Sequence, residues 1–280
     1  MTASPLVSTD WLAAHLFDAD LRIVDGSWYL PSMARDPDAE FLAAHIPGAV
    51  RFNPDLIADT SIALPHMLAA PEVFAEAVGG LGISETDTIV VYDGMGLMSA
   101  ARVWWNFLVM GAKKVFVLDG GLPKWVAEGR VLGAGATAPR PASFHARFDP
   151  TGVADAARVL AALDDPAIQV VDVRSAGRFR GEEPEPRPGL RGGHMPGARN
   201  LPFPDLIANG RLRDPAELRA RFAAAGIDPA RPVITSCGSG VTAPIVSLAM
   251  AAMGHRPATV YDGSWTEWGG RADLPVVTGR

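Results

Sequence analysis

The chain carries one set of landmarks twice, in the same order, roughly 145 residues apart. "LRIVDGSWYL" from Leu21 is answered by "IQVVDVRSAGRF" from Ile168, with Asp25 and Asp172 closing matching apolar runs. "HIPGAVRF" from His45 is answered by "HMPGARNL" from His194, and "DTIVVYDGMG" from Asp87 by "RPVITSCGSG" from Arg231. "KVFVLDGGLPKW" from Lys114 returns as "ATVYDGSWTEW" from Ala258. Four landmarks in one order mean duplication, so whatever one half folds into, the other must fold into as well. A length of 280 residues fits two domains of ordinary size.

Within each copy, β-branched apolar runs of a few residues alternate with helical patterns such as "PEVFAEAVGGLG", "DPAELRARFAAAG" and "APIVSLAMAAMG". Such alternation predicts βαβ units, an α/β fold with a parallel sheet and helices on both faces of each domain. Asp214 and Pro215 supply an N-cap and a first-turn proline for one of those helices. Between the copies, "LGAGATAPRPASFHARFDP" is rich in Gly, Ala and Pro and shows no period, which suits an extended connection. The expected division is a first domain over 1–135, a linker over 136–150 and a second domain over 151–280.

Composition narrows the function classes. A net charge of −6 argues against a nucleic-acid-binding protein. The opening residues lack a basic segment followed by a long apolar run, and no apolar stretch reaches the length of a membrane span. The expectation is a soluble cytoplasmic protein. No histidine cluster has metal-ligand spacing, and a single cysteine rules out both a disulfide framework and a multi-cysteine metal site.

That cysteine, Cys237, stands in "SCGSGVTAP", directly after the strand candidate "PVITS" and before a helix. Ligands in open α/β sheets bind beyond the carboxyl ends of strands. A free thiol is only about 3% thiolate at neutral pH. One charge-assisted hydrogen bond stabilises an anion by roughly 1.5–3 kcal/mol. Two loop amides aimed at the sulfur can therefore hold a thiolate without a basic neighbour, and Gly238 and Gly240 permit the backbone angles this needs. A phosphatase reading fails at Ala243, where the phosphate-clamping arginine of a cysteine phosphatase would stand.

These features together resemble the two-domain sulfurtransferases of the rhodanese family, most closely the 3-mercaptopyruvate sulfurtransferases. The resemblance rests on the duplication, the "HIPGA" and "HMPGA" segments, "GRF…PEPRPG" and "CGSGVTA", and it spans nearly the whole chain. It implies two tandem rhodanese-like domains with a catalytically degenerate first copy, where Asp93 occupies the place of Cys237. Thiosulfate-specific relatives resemble the same plan but carry basic residues in the cysteine loop, where this chain has Gly238 and Ser239.

The resemblance further implies Cys237 as nucleophile, Ser239, His66 and Asp55 as a supporting relay, and Arg178 and Arg187 as the clamp on a substrate carboxylate. Gly238, Gly240, Val241 and Thr242 complete the substrate-binding loop. Asp59 competes with Asp55 for the aspartate role. Arg174, Arg180 and Arg191 are expected to be structural, and His45 and His194 to be turn or packing residues. The implied reaction moves sulfur from 3-mercaptopyruvate through a cysteine persulfide to cyanide or an external thiol, such as thioredoxin or a small thiol, and needs no cofactor. A thiosulfate sulfurtransferase and a non-enzymatic persulfide carrier are the rival readings.

Overall fold

A computed structural model describes residues 4–279. The first sheet contains β1 (Leu6–Val7), β2 (Leu21–Asp25), β3 (Ala49–Arg51), β4 (Thr88–Tyr92) and β5 (Lys114–Leu118), in the order β1-β5-β4-β2-β3. The second contains β6 (Val153–Ala154), β7 (Gln169–Asp172), β8 (Arg199–Asn200), β11 (Val233–Ser236) and β12 (Thr259–Tyr261), in the order β6-β12-β11-β7-β8. Position for position the two orders match, and every pairing in both sheets is parallel. A short antiparallel ribbon, β9 (Ile207–Ala208) with β10 (Arg211–Leu212), is inserted in the second half.

Helices α1 (Thr9–His15), α2 (Pro37–Ala43), α3 (Pro71–Gly80), α4 (Ala100–Val109) and α5 (Gly121–Ala127) belong to the first half. The second half has α6 (Ala156–Leu163), α7 (Ala176–Arg180), α8 (Pro215–Ala224), α9 (Pro244–Ala252) and α10 (Ser264–Trp268). Helix α8 starts as its residues dictate: Asp214 accepts the Ala216 and Glu217 amides, each at 2.9 Å, and Pro215 fills the first turn.

Alternate side chains of the central strands enter different cores. Ile89 and Val91 of β4 join one cluster, Val90 and Tyr92 another. On β11, Val233 and Ile234 part in the same way. Both faces of each sheet are therefore covered, which is why these strands read as unbroken apolar runs. The cluster containing Val91 also contains Val233, because α4 and α9 pack against each other between the sheets. The halves share one continuous core.

The connection over 136–149 is extended, but it is not a loose linker. Its Phe144 is buried against Phe74 and Phe107. The Ala142 amide donates to the Gly79 carbonyl at 2.9 Å. A Cβ at residue 79 would lie 2.7 Å from the Ala142 carbonyl oxygen, so glycine is what lets the strap lie flat on α3. Composition alone does not distinguish a free linker from one anchored by one of its two phenylalanines, Phe144 buried and Phe148 exposed.

Candidate active site

Cys237 follows the last residue of β11, beyond the carboxyl end of a central strand. Its side chain is buried in the shared core, 2% exposed. The Gly240 amide donates to Sγ at 3.1 Å, with Gly240 in a left-handed conformation at φ 81°. This is a correction: one amide reaches the sulfur, where the sequence predicts two. The reason lies in α10. Trp265 donates its amide to the Cys237 carbonyl at 3.0 Å, and Thr266 donates amide and hydroxyl to the Gly238 carbonyl at 2.8 and 2.7 Å. Pinning these carbonyls fixes the Gly238 and Ser239 amides on the opposite sides of their trans peptides, away from the sulfur.

A side chain also comes close to the sulfur. Ser264 Oγ lies 3.9 Å from Sγ, accepts the Cys237 amide at 3.1 Å and donates to the Tyr261 carbonyl at 2.9 Å. Ser264 takes φ 48°, a strained value for a residue with a Cβ. Its counterpart in the first half is Gly121, at φ 53°. The second copy thus accepts backbone strain in exchange for a hydroxyl beside the thiol. Ser264 escapes the sequence reading, although the change from "DGG" to "DGS" between the copies marks it.

The first copy's loop shows what such a bend does when no sulfur is present. Asp93 is fully buried, and its carboxylate accepts the Met95, Met98 and Ala100 amides at 2.8, 2.7 and 2.8 Å. The bend is an anion cradle, and there it is occupied by its own side chain.

The first half also contributes to the Cys237 loop. His66 is buried, with Nδ1 2.5 Å from Asp55 Oδ1. This contact is short but lacks hydrogen-bond alignment, and His66 Nε2 has no hydrogen-bond partner among the described residues. The imidazole holds the Asp55 carboxyl below its usual range, burial opposing and the Trp28 indole N–H assisting at 3.0 Å. Trp28 meets the His66 ring edge-on at 4.7 Å and packs with Met98 against Val241 of the cysteine loop. Asp59 turns instead to Ser61, accepting its hydroxyl at 2.6 Å and its amide at 2.9 Å, so Asp55 is the partner of His66. Ser239 is buried, but no hydrogen bond joins its side chain to His66. Of the expected relay, the Asp55–His66 link is formed and the Ser239 link is not.

The arginines divide by environment. Arg174 is buried, stacked 3.9 Å from the Trp265 ring centroid, and paired with Asp172 at 2.6 Å and Glu185 at 2.7 Å. Arg180 pairs with Glu182, and Arg191 donates to carbonyls of Trp268, Gly269 and Leu274. All three are engaged by groups of the protein itself. Arg178 is held by Glu185 at 2.5 Å, and a Cβ on Gly238 would lie 3.2 Å from its Nη2. Arg178 therefore lies against the cysteine loop. Beside it a pocket of about 410 Å³ is lined by Ser175, Phe203, Asp205, Gly238 and Thr242. Arg187 is half-buried and has no ion pair or hydrogen bond among the described residues. His45 and His194 are packing residues: each gives Nδ1 to a carbonyl, that of Phe41 at 2.7 Å or of Phe179 at 2.8 Å, and stacks on the same phenylalanine.

A family model described as a rhodanese-like domain matches residues 8–128 and again residues 155–271. The chain belongs to the rhodanese family.

Among its relatives, a 3-mercaptopyruvate sulfurtransferase of Escherichia coli is 43% identical over 99% of both chains. A mitochondrial thiosulfate/3-mercaptopyruvate sulfurtransferase of Arabidopsis thaliana is also 43% identical, over 98% of this chain and 78% of its own. The crystal structure of SseA from Escherichia coli, a 3-mercaptopyruvate sulfotransferase with the rhodanese fold, superposes with a TM-score of 0.87 at 39% identity, covering 94% of this chain and 99% of that one.

Within this rhodanese, Glu185, Ser264 and Trp28 lie at the candidate site although the sequence does not single them out. Glu185 is camouflaged among surface-type glutamates in "GEEPEPRPG", and the others act through contacts made only on folding. No helix among the described residues is long and apolar enough to cross a membrane.

Proposed function

We propose that this rhodanese takes sulfur from 3-mercaptopyruvate onto Cys237 and passes it to an external acceptor. The observation that carries the reading is the Cys237 sulfur at the end of β11, met by the Gly240 N–H, in a loop with no basic side chain and with Arg178 at its edge. A substrate suited to that arrangement carries its negative charge away from the transferred sulfur. Mercaptopyruvate does so, its carboxylate lying at the far end from its thiol. Thiosulfate, with its charge adjacent to that sulfur, suits it less.

Arg178 and Arg187 hold the carboxylate and keto group, the planar fork of arginine matching a carboxylate. The Cys237 thiolate attacks the substrate sulfur. The carbon–sulfur bond breaks, its electron pair leaving as pyruvate enolate, and Cys237 becomes a persulfide. Ser239 moves the proton that converts enolate to pyruvate, and His66 with Asp55 supplies a second proton-carrying group from the first half. Gly238, Gly240, Val241 and Thr242 shape the loop. An acceptor thiolate then attacks the outer sulfur, restoring the Cys237 thiolate and leaving as a persulfide. With one cysteine in the chain, that thiol comes from another molecule, thioredoxin or a small thiol, or cyanide takes its place. A cytoplasmic location and the boundaries 1–135, 136–150 and 151–280 complete the reading.

The test is intact mass after mixing with mercaptopyruvate in the absence of acceptor. The expected result is a gain of about 32 Da at Cys237, absent in Cys237→Ser. Unchanged mass with no pyruvate formed overturns the proposal.

A further inference from the structure

Arg102 lies on α4 of the first half and is 1% exposed; its guanidinium packs over the Trp105 ring of the same helix, 4.6 Å from the centroid, while its hydrogen bonds run to three other segments. Its Nη1 donates to Asp262 Oδ1 at 2.5 Å and to the Gly240 carbonyl at 3.2 Å, and its Nη2 donates to the His66 carbonyl. Asp262 continues the chain, its Oδ2 accepting the Leu68 amide at 2.7 Å. One planar cation and its counter-ion thus fasten the 66–68 segment of the first half to the cysteine loop of the second.

Stability alone is a poor reason for such a pair. Desolvating two charges offsets most of their attraction, and well-packed apolar side chains serve a core as well. What apolar side chains cannot do is direct two carbonyls from different domains toward one point. Both carbonyls belong to residues that need directing. Gly240 supplies the amide on Sγ. His66 sits at φ 60°, an unfavourable backbone conformation that persists only where its surroundings over-determine it.

We infer that Arg102, with Asp262, is the positioning residue that sets His66 and the Gly240 amide in register over Cys237. The inference rests on the proposed sulfur transfer. Arg102 itself touches neither the sulfur nor, in this assignment, the substrate. Its charge is spent on Asp262, and its contribution is geometric. Lysine in its place keeps the charge but offers one nitrogen, which cannot stand at both the Nη1 and Nη2 positions.

The test uses the full chain with Arg102→Lys, His66→Ala and the double variant. Single-turnover persulfide formation is expected to slow about tenfold or more in Arg102→Lys, the loss of one oriented charge-assisted hydrogen bond. KM for mercaptopyruvate should stay within about twofold, because the arginine clamp is elsewhere. In the double variant the two losses should overlap rather than multiply, as for residues acting as a unit. Hydrogen exchange should rise together in peptides spanning 64–68 and 237–243. An Arg102→Lys protein with a lowered Tm but unchanged turnover per folded molecule overturns the inference, as do losses that multiply. If the wild type forms no persulfide, the sulfur-transfer reading falls, and the exchange data still decide whether Arg102 couples the segments. No coupled rise overturns the inference. Should Arg102→Lys not fold, Asp262→Asn, which removes the counter-charge that holds the guanidinium against both carbonyls, is expected to raise exchange in the same two peptides together, and an unchanged pattern overturns the inference.

Discussion

Asp55 and His66 stand 2.5 Å apart across a contact that is half open to solvent on the carboxylate side and closed on the imidazole side. Among the described residues the histidine's other nitrogen is buried without a hydrogen-bond partner. A buried polar atom left open in this way is uncommon and marks the ring as a candidate for contact with a bound substrate.

That pairing predicts a pH signature. His66 lowers the Asp55 carboxyl in the folded state, so its contribution to stability is present above the unfolded value near 3.8 and is lost as pH falls through the lower folded value. Asp55→Asn should therefore be less stable than wild type at pH 7, by under about 1 kcal/mol given its exposure. The gap should close in acid. Equal destabilisation from pH 7 down to about pH 3, by urea unfolding, would contradict the assignment.

Ser264 separates strain from chemistry. Ser264→Gly should fold at least as well as Ser264→Ala, by about 1 kcal/mol, because glycine accepts φ 48° without penalty. Both should lose persulfide formation to a similar degree, since both lack the hydroxyl beside Cys237. Activity that follows stability across the two variants would make Ser264 a backbone residue only.

Gly240→Ala should fail on two counts. A Cβ there would sit 2.7 Å from the Asp262 carbonyl oxygen and 3.0 Å from Arg102 Nη1, at a φ of 81°. The expected cost is about 2 kcal/mol or more, with persulfide formation abolished. Wild-type turnover in this variant would show that the loop does not need the left-handed glycine to hold its amide on the sulfur.

Glu185 fixes Arg178 through both Nε and Nη2, at 3.2 and 2.5 Å. Glu185→Gln should let the guanidinium swing toward solvent and raise KM for mercaptopyruvate about 3–10-fold, with kcat changed less. A fall in kcat at constant KM would place Glu185 in the chemical step instead.

Ser239→Ala should slow mercaptopyruvate cleavage more than thiosulfate cleavage, since only the former leaves an enolate that needs a proton. Measuring kcat/KM for both donors checks this, and equal losses would remove the selective role given to Ser239.

Much of this was legible in the residues, and the exceptions share a cause. The alternating strand and helix patterns of the doubled halves, the Asp214–Pro215 helix start and the position of Cys237 at a strand end were all readable, because each depends on neighbours in sequence. Asp55 with His66 also lies within one local segment. Arg102 and Asp262 are 160 positions apart and meet only when α4 reaches across to the second sheet. The sulfur's surroundings were misread for the same reason: the carbonyls of Cys237 and Gly238 are claimed by α10, almost thirty residues downstream.

The carboxylate that fills the first copy's bend has a consequence for the architecture. Being tethered to the socket it plugs, Asp93 leaves no room there for an outside anion. The half that carries it lends the other a ring, an indole and a guanidinium instead. A fragment beginning after residue 150 is expected to keep Cys237, lose that enclosure and, with it, most of its sulfur transfer.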